Sequence, residues 1–233
     1  MNDELTLKVI ARIETDLPEK FGIPRQSGLA PALKGIVRFT SEFANPDAVR
    51  GLEGYSRIWL LWGFSQAFGR DWSPTVRPPR LGGNARMGVF ATRSPFRPNP
   101  LGLSCVQLDA VETGNGVLLL RVSGVDLLDG TPIYDVKPYL PYADSWPEAA
   151  GGFTDEAGDF LLTVDVSPEL LAQIPEERRE ALLEVLSHDP RPSYQRDPAR
   201  VYGLRFGAWN VRFTVEDRVL RVCSVEISQK PKS

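Results

Sequence analysis

The chain holds one histidine, His188, and two cysteines, Cys105 and Cys223. Three such side chains fall short of a four-ligand zinc site. Any Ser-His-Asp or Cys-His nucleophile has only His188 as its base. That residue stands in LSHDPRP, at the end of a helical pattern, where an imidazole is a favourable charge for a helix terminus. Cys105 lies in the apolar run LGLSCVQL and Cys223 in VLRVCSVEI. Both have the setting of small core residues in strands, with no sign of a secreted disulfide scaffold. Neither GxxxxGK[ST] nor GxGxxG occurs. The longest strongly apolar run, IWLLWGF (58–64), is far shorter than the roughly 20 residues of a membrane span. The opening MNDELTL carries early acids in place of a secretory apolar core. A cytoplasmic protein with no metal and no membrane contact is expected.

What is present begins with 233 residues at 42% hydrophobic content, enough for one full core and a small second one. The net charge of −3 is unevenly spread. Residues 70–100 carry six arginines and one aspartate, whereas Asp144 to Asp189 holds twelve acids against Arg178 and Arg179. Within PTVRPPRLGGNARMGVFATRSPFRPNP (74–100), Arg77, Arg80, Arg86, Arg93 and Arg97 are interleaved with six prolines and three glycines. Proline fixes φ and glycine admits positive φ, so the guanidinium groups sit on set loop shapes. Such forks suit phosphate or carboxylate. The alternative is a basic surface patch without a ligand. Gly82-Gly83 reads as a tight turn or as a backbone anion cradle.

The first two-thirds read as short strands: 5–13, 33–39, 57–64, 85–92, 101–111, 116–125 and 131–140. Gly114-Asn115-Gly116 is a hairpin signal, and Asn45-Pro46 caps a short helix to Leu52. Strands without alternating long helices argue for an antiparallel barrel or sandwich and against a doubly wound sheet. After Pro147 the composition shifts. Residues 148–159 read as a mobile connector. Ser167-Pro168 opens a helix punctuated by Pro175, and 176–188 puts Leu182, Leu183, Val185 and Leu186 on one side. Strands at VYGLRF, 208–215 and 219–227 follow, with a reversal at Glu216-Asp217-Arg218. The expected architecture is mainly β: an antiparallel β-barrel domain over 1–147 and a small C-terminal α+β domain over 148–233.

Two further fragments carry polar chemistry. In FGIPRQSGL (21–29), Pro24 forces Ile23 out of helical space, so a rigid turn presents Arg25 and Gln26. In YDVKPYLPY (134–142), alternate residues of a strand share a face, which groups Asp135, Lys137 and Tyr139. That face offers a ligand an acceptor, a cation and a hydroxyl. It equally describes a strand with a surface ion pair and one packed tyrosine.

Three strings, IPRQSGL, PTVRPPRLGGNARMGVFATRSPFRPNPLGLS and DLLDGTPIYDVKPYLPYADS, resemble the TsaA-like family, the bacterial TrmO-type tRNA methyltransferases. The likeness runs in order through most of the first 145 residues, and DPRPSY and WNVRF extend it into the tail. The resemblance implies a β-barrel methyltransferase domain, a small C-terminal domain and a homodimer. It implies S-adenosylmethionine-dependent methylation of the exocyclic nitrogen of threonylcarbamoyladenosine, in the tRNA anticodon stem-loop. Its cofactor contacts fall on Pro24, Arg25, Gln26, Ser65, Gln66, Arg93, Leu103, Ser123, Gly124, Val125 and Asp126. Ser65 stands where the family often has histidine, which removes an imidazole contact.

In that setting Arg25 or Arg93 suits the cofactor carboxylate, Gln26 and Gln66 the adenine edge or amino-acid end, and Asp126 the ribose hydroxyls. Asp135 is the first candidate for the base that takes the nucleophile's proton, Tyr139 the second, and Lys137 an anchor for the threonyl carboxylate. Arg77, Arg80, Arg86 and Arg97, with Arg191 and Tyr194 in the tail, are the expected tRNA contacts, and Phe96 and Tyr142 possible stacking surfaces. Two other functions fit the residues: an RNA-binding barrel without catalysis, and a methyltransferase with a different substrate.

Overall fold

The computed structural model describes residues 4–78, 85–156, 161–192 and 197–228. Arg80, Gly82, Gly83 and Tyr194 lie outside them. The strands are β1 (Ala11–Thr15), β2 (Lys34–Phe39), β3 (Arg57–Gly63), β4 (Thr75–Val76), β5 (Met87–Gly88), β6 (Leu101–Gly114), β7 (Val117–Ser123), β8 (Pro132–Pro138), β9 (Thr163–Asp165), β10 (Tyr202–Phe206), β11 (Trp209–Glu216) and β12 (Val219–Ile227). The helices are α1 (Pro141–Asp144), α2 (Phe153–Glu156), α3 (Pro168–Leu171) and α4 (Glu176–Ser187).

Six strands close an antiparallel barrel in the order β1-β2-β7-β6-β3-β8, with Ala11↔Ile133 sealing the ring. Alternation decides which side chains fill it. In β3, Ile58, Leu60 and Trp62 turn inward while Arg57, Trp59 and Leu61 turn out. The β6–β7 hairpin turns at Asn115 (φ 50°) and Gly116 (φ 74°), the two positive-φ positions that the Gly-Asn-Gly signal implies. Gly102 faces Trp62 across the ladder, and a methyl there would run into the indole ring.

The tail forms a second sheet, β10-β11-β12-β9. Its buried side chains, with those of α4, join the barrel interior in one continuous apolar cluster. Phe21 of the barrel half stacks on Phe213 of the tail, ring centres 6.5 Å apart.

Five details depart from the sequence reading. Leu5 and Leu7 stay exposed, because the ladder of the first strand starts only at Ala11. The helix after Asn45 is two 3-10 turns, broken at Gly51 by its left-handed backbone (φ 85°). The strand expected over 85–92 is only Met87–Gly88, followed by a 3-10 turn at Val89–Ala91. The short parallel strand β9 was not foreseen, and in α4 Ala181, not Leu183, completes the buried stripe.

Candidate cofactor and nucleic-acid site

The loop carrying Pro24, Arg25 and Gln26 is held from two sides. Toward the barrel, Gly28 N donates to Gly124 O at 2.8 Å and Gly124 N to Leu33 O at 2.9 Å. Gly124 has φ 73°, and a Cβ on it would stand 3.2 Å from the Gly28 backbone, so this crossing needs a residue without a side chain. The ladder between β6 and β7 starts at Gln107, which leaves one edge of 101–106 without a strand. Ser27 Oγ fills part of it, accepting from Cys105 N at 3.1 Å. Toward the tail, Ala32 N donates to Glu184 Oε2 at 2.7 Å, and His188 Nε2 lies 2.6 Å from Leu29 O. A carbonyl only accepts, so Nε2 carries the proton. The lone histidine is thus a brace from the end of α4, a task invisible in its helix-end position.

Asp126 is half-buried between the buried Val125 and Leu127. Trp62 Nε1 donates to Ser104 Oγ at 2.9 Å, and the Ser104 hydroxyl donates to Asp126 Oδ1 at 2.6 Å. Burial pushes the Asp126 carboxyl up to about 6, opposed by the Ser104 hydrogen bond, backbone donors and the charge of Arg93. A half-buried carboxylate that feels the charge of a guanidinium is a ready acceptor for ligand hydroxyls.

Arg93 hydrogen-bonds Gln26, and this pair opens into a groove of about 1430 Å³. Its lining joins Lys20, Arg25 and Arg93 to Arg77 and Arg86, with no acid among the described residues. Three expected cofactor contacts, Arg25, Gln26 and Arg93, and two expected tRNA contacts, Arg77 and Arg86, therefore line one groove. Arg86 Nη1 donates to Thr75 Oγ1 at 3.2 Å across the β4–β5 ladder. Three aromatic residues, Phe90, Phe96 and Phe153, also line the groove, and the first two are 75% and 38% exposed.

The strand group lies elsewhere. Asp135 and Lys137 project from the outer face of the barrel, as the alternation implies, and they form an ion pair at 2.8 Å. Asp135 Oδ1 also accepts from Val136 N, and the Tyr139 ring packs at 5.8 Å from Trp59. None of the three lines the groove, so the candidate base and its neighbours stand apart from Arg25 and Arg93. The link runs over the barrel wall. Leu61 pairs with Leu103 on one side and with Asp135 on the other. Strands lie about 4.8 Å apart, which puts Asp135 roughly 10 Å from Leu103 along one outward row.

The remaining candidates divide. Leu103 is 53% exposed, and Ser65 and Gln66 are exposed on a 3-10 turn directly after β3, at the same barrel end. The Ser123 hydroxyl donates to Asp109 and accepts from Lys34 Nζ at 2.7 Å, and the Val125 side chain is in the core. These two offer a ligand backbone atoms only. Arg97 is half-buried and donates to Thr92 O at 3.3 Å, outside the groove lining. Arg191 is 11% exposed and forks onto Asp189 at 2.8 and 2.9 Å, which holds the DPRP turn and leaves little for a phosphate. Among the described residues no cluster of metal-ligating side chains occurs, and no helix is long and apolar enough to cross a membrane. Sequence reasoning missed Ser104, Glu184 and Phe90; only Phe90, inside the arginine strip, carried a legible signal.

Two family models match the chain: the tRNA-methyltransferase O N-terminal domain over residues 12–145 and the TrmO C-terminal domain over 160–228. The chain is 42% identical over 225 residues to the tRNA (adenine(37)-N6)-methyltransferase of Escherichia coli, covering 93% of this chain and 96% of that protein. It is 48% identical over 163 residues to the protein of the same name from Eikenella corrodens, covering 70% and 92%. Its fold is similar to the crystal structure of TrmO from Pseudomonas aeruginosa, with a TM-score of 0.77 at 34% identity over 96% of this chain and 99% of that one.

Proposed function

This chain belongs to the tRNA-methyltransferase O family, and on that premise we propose that it methylates the exocyclic nitrogen of threonylcarbamoyladenosine beside the tRNA anticodon. The methyl donor is S-adenosylmethionine. The observation that carries the reading is the groove that Arg25 and Arg93 line together with Arg77 and Arg86.

The residues fit the cofactor's chemistry. Arg25 and Arg93 suit its carboxylate through charge-assisted bonds, with Gln26 fixing the Arg93 guanidinium. Asp126 accepts from ribose hydroxyls, oriented by Ser104 and Trp62. Leu103 gives an apolar surface, Gln66 a hydrogen-bonding amide, and the backbone of 123–126 the remaining polar atoms. Ser65 supplies one hydroxyl where an imidazole would also stack. When bound, S-adenosylmethionine supplies an electrophilic methyl group on a sulfonium.

Methyl transfer is an in-line displacement, so the protein's work is positioning and electrostatics. The accepting nitrogen is bonded to a purine and a carbonyl, and its lone pair is delocalised. Asp135 takes its proton during attack, a step that contributes roughly 10²–10⁴-fold. Lys137, already 2.8 Å from Asp135, holds the threonyl carboxylate, and Tyr139 is the second candidate base. Arg77 and Arg86 hold phosphates of the anticodon stem-loop, assisted by Arg97 and the basic strip around it. Homodimerisation and a cytoplasmic location belong to the same proposal; light scattering measures the first.

The test is direct. The protein is incubated with S-adenosylmethionine and tRNA that carries or lacks the threonylcarbamoyl group, and the nucleosides are read by mass spectrometry. One added methyl on threonylcarbamoyladenosine alone is expected. Methylation of both tRNAs at another nucleoside assigns a different substrate, and binding without any transfer leaves a non-catalytic RNA-binding barrel.

A further inference from the structure

The arginine strip is also where exposed rings gather. Phe68, Trp72, Phe90 and Phe96 are 45%, 51%, 75% and 38% exposed, and all four fall between residues 68 and 96. Phe90 stands out because its backbone is fixed while its ring is not covered. Val89 before it is 1% exposed, and Val89 N donates to Pro74 O at 3.0 Å. Thr92 then closes the 3-10 turn with two bonds to Val89 O, from its amide at 3.1 Å and its hydroxyl at 2.9 Å. The turn pins Val89 inward and holds Phe90 out, into the groove among Arg77, Arg86 and Arg93.

Leaving so large an apolar surface wet forgoes the stabilisation that burying it would give. A ring held on a rigid turn, in a groove rich in cations and with no acid among its described lining residues, has the chemistry of a single-stranded RNA platform: cations track phosphates and the ring takes a base face. The geometry points to Phe90 as the stacking subsite for one unstacked nucleobase of the bound RNA loop. This rests on the groove being the tRNA face. The arginines set the salt dependence of binding, because each phosphate neutralised releases counterions. The stacking share is insensitive to salt.

The experiment measures binding of the full-length protein to an anticodon stem-loop RNA and to a blunt RNA duplex, each over a range of salt. Phe90→Leu keeps an apolar side chain but removes the flat π face; Phe90→Trp keeps that face; Arg86→Gln removes one cation. Phe90→Leu is expected to weaken stem-loop binding by about tenfold or more at every salt concentration, with the slope of log affinity against log salt unchanged. Phe90→Trp is expected to bind like the parent, and neither substitution to alter duplex binding. Arg86→Gln should lower the slope by about one. Parent-like stem-loop binding by Phe90→Leu, with the Arg86→Gln effect present, overturns the stacking subsite and leaves the groove reading standing. No slope change in Arg86→Gln overturns the groove reading itself. Equal losses on stem-loop and duplex for Phe90→Leu also overturn the subsite, since a duplex offers no unstacked loop base.

Discussion

Two Pro- and Gly-rich segments flank the same groove and are built in opposite ways. The first loop, around Pro24–Gln26, is bolted from outside itself, to Gly124 and Cys105 of the barrel and to Glu184 and His188 of the tail. The arginine strip is held by short-range bonds of its own, such as Val89 to Pro74 and Ser73 to Phe96, and by a two-residue ladder. On the proposed assignment, a small zwitterionic cofactor would demand fixed geometry, and bonds spanning 152 and 159 residues give the loop that rigidity. An RNA backbone would demand extended charge at lower precision, and the strip has exposed guanidinium groups and rings. The tail buttresses the first loop through Glu184 and His188.

The largest expected effect separates chemistry from both regions. Asp135→Asn should lower kcat by roughly 10²–10⁴-fold while affinities for S-adenosylmethionine and for tRNA stay near those of the parent. Near-normal turnover in steady-state assays removes Asp135 from the role and passes it to Tyr139.

Next is the carboxylate that ties the braced side together. Asp126 has a folded-state pKa raised from 3.8 to about 6. An acid with a raised folded value favours folding when protonated, so that contribution is full below about pH 4 and is lost as pH rises through about 6. Asp126→Asn should flatten the decline in Tm across this window, a difference of order 3 kcal/mol at most. Thermal melts from pH 4 to pH 7.5 read it, and parallel curves for the two proteins contradict it. The ionised form is the better acceptor for hydroxyls, so S-adenosylmethionine affinity of the parent should fall below about pH 6.

Substituting both Arg77 and Arg86 by Gln tests the open strip. Affinity for tRNA at low salt should fall by about tenfold to a hundredfold with a shallower salt slope, and S-adenosylmethionine affinity should not move. Fluorescence anisotropy at several salt concentrations measures both. The smallest effect belongs to the brace. Glu184→Ala should weaken S-adenosylmethionine about fivefold to tenfold, the scale of one ordinary net hydrogen bond, and Glu184→Gln should restore it. Loss in both variants points to packing instead.

Much of this molecule was legible before its coordinates. Alternation in RIWLLWG and the Gly-Asn-Gly turn place β3, β6 and β7, and the shared face of Asp135 and Lys137 follows from strand period alone. Arg25, Gln26 and Arg93 were grouped by resemblance and do meet in space. The illegible parts are long-range. Nothing near Glu184 or His188 announces a partner in the first loop, because a helix that buries one stripe looks the same whether its other face is solvated or bonded. Ser104 reads as a polar interruption of an apolar strand until Trp62 and Asp126 are placed on either side of it. The placement of Asp135 outside the groove follows from which strands neighbour β8, and barrel order is not written in any one segment.

The central claim is that the braced loop, joined by Arg93, holds the cofactor, while Arg77 and Arg86 of the strip hold tRNA. Calorimetric titration of S-adenosylmethionine and of tRNA into the parent, Glu184→Ala and the Arg77/Arg86 double variant tests it most directly. The account predicts a cross: the first variant loses only cofactor affinity and the second only tRNA affinity. Loss of cofactor affinity in the arginine variant, with the Glu184 variant binding it normally, contradicts the account.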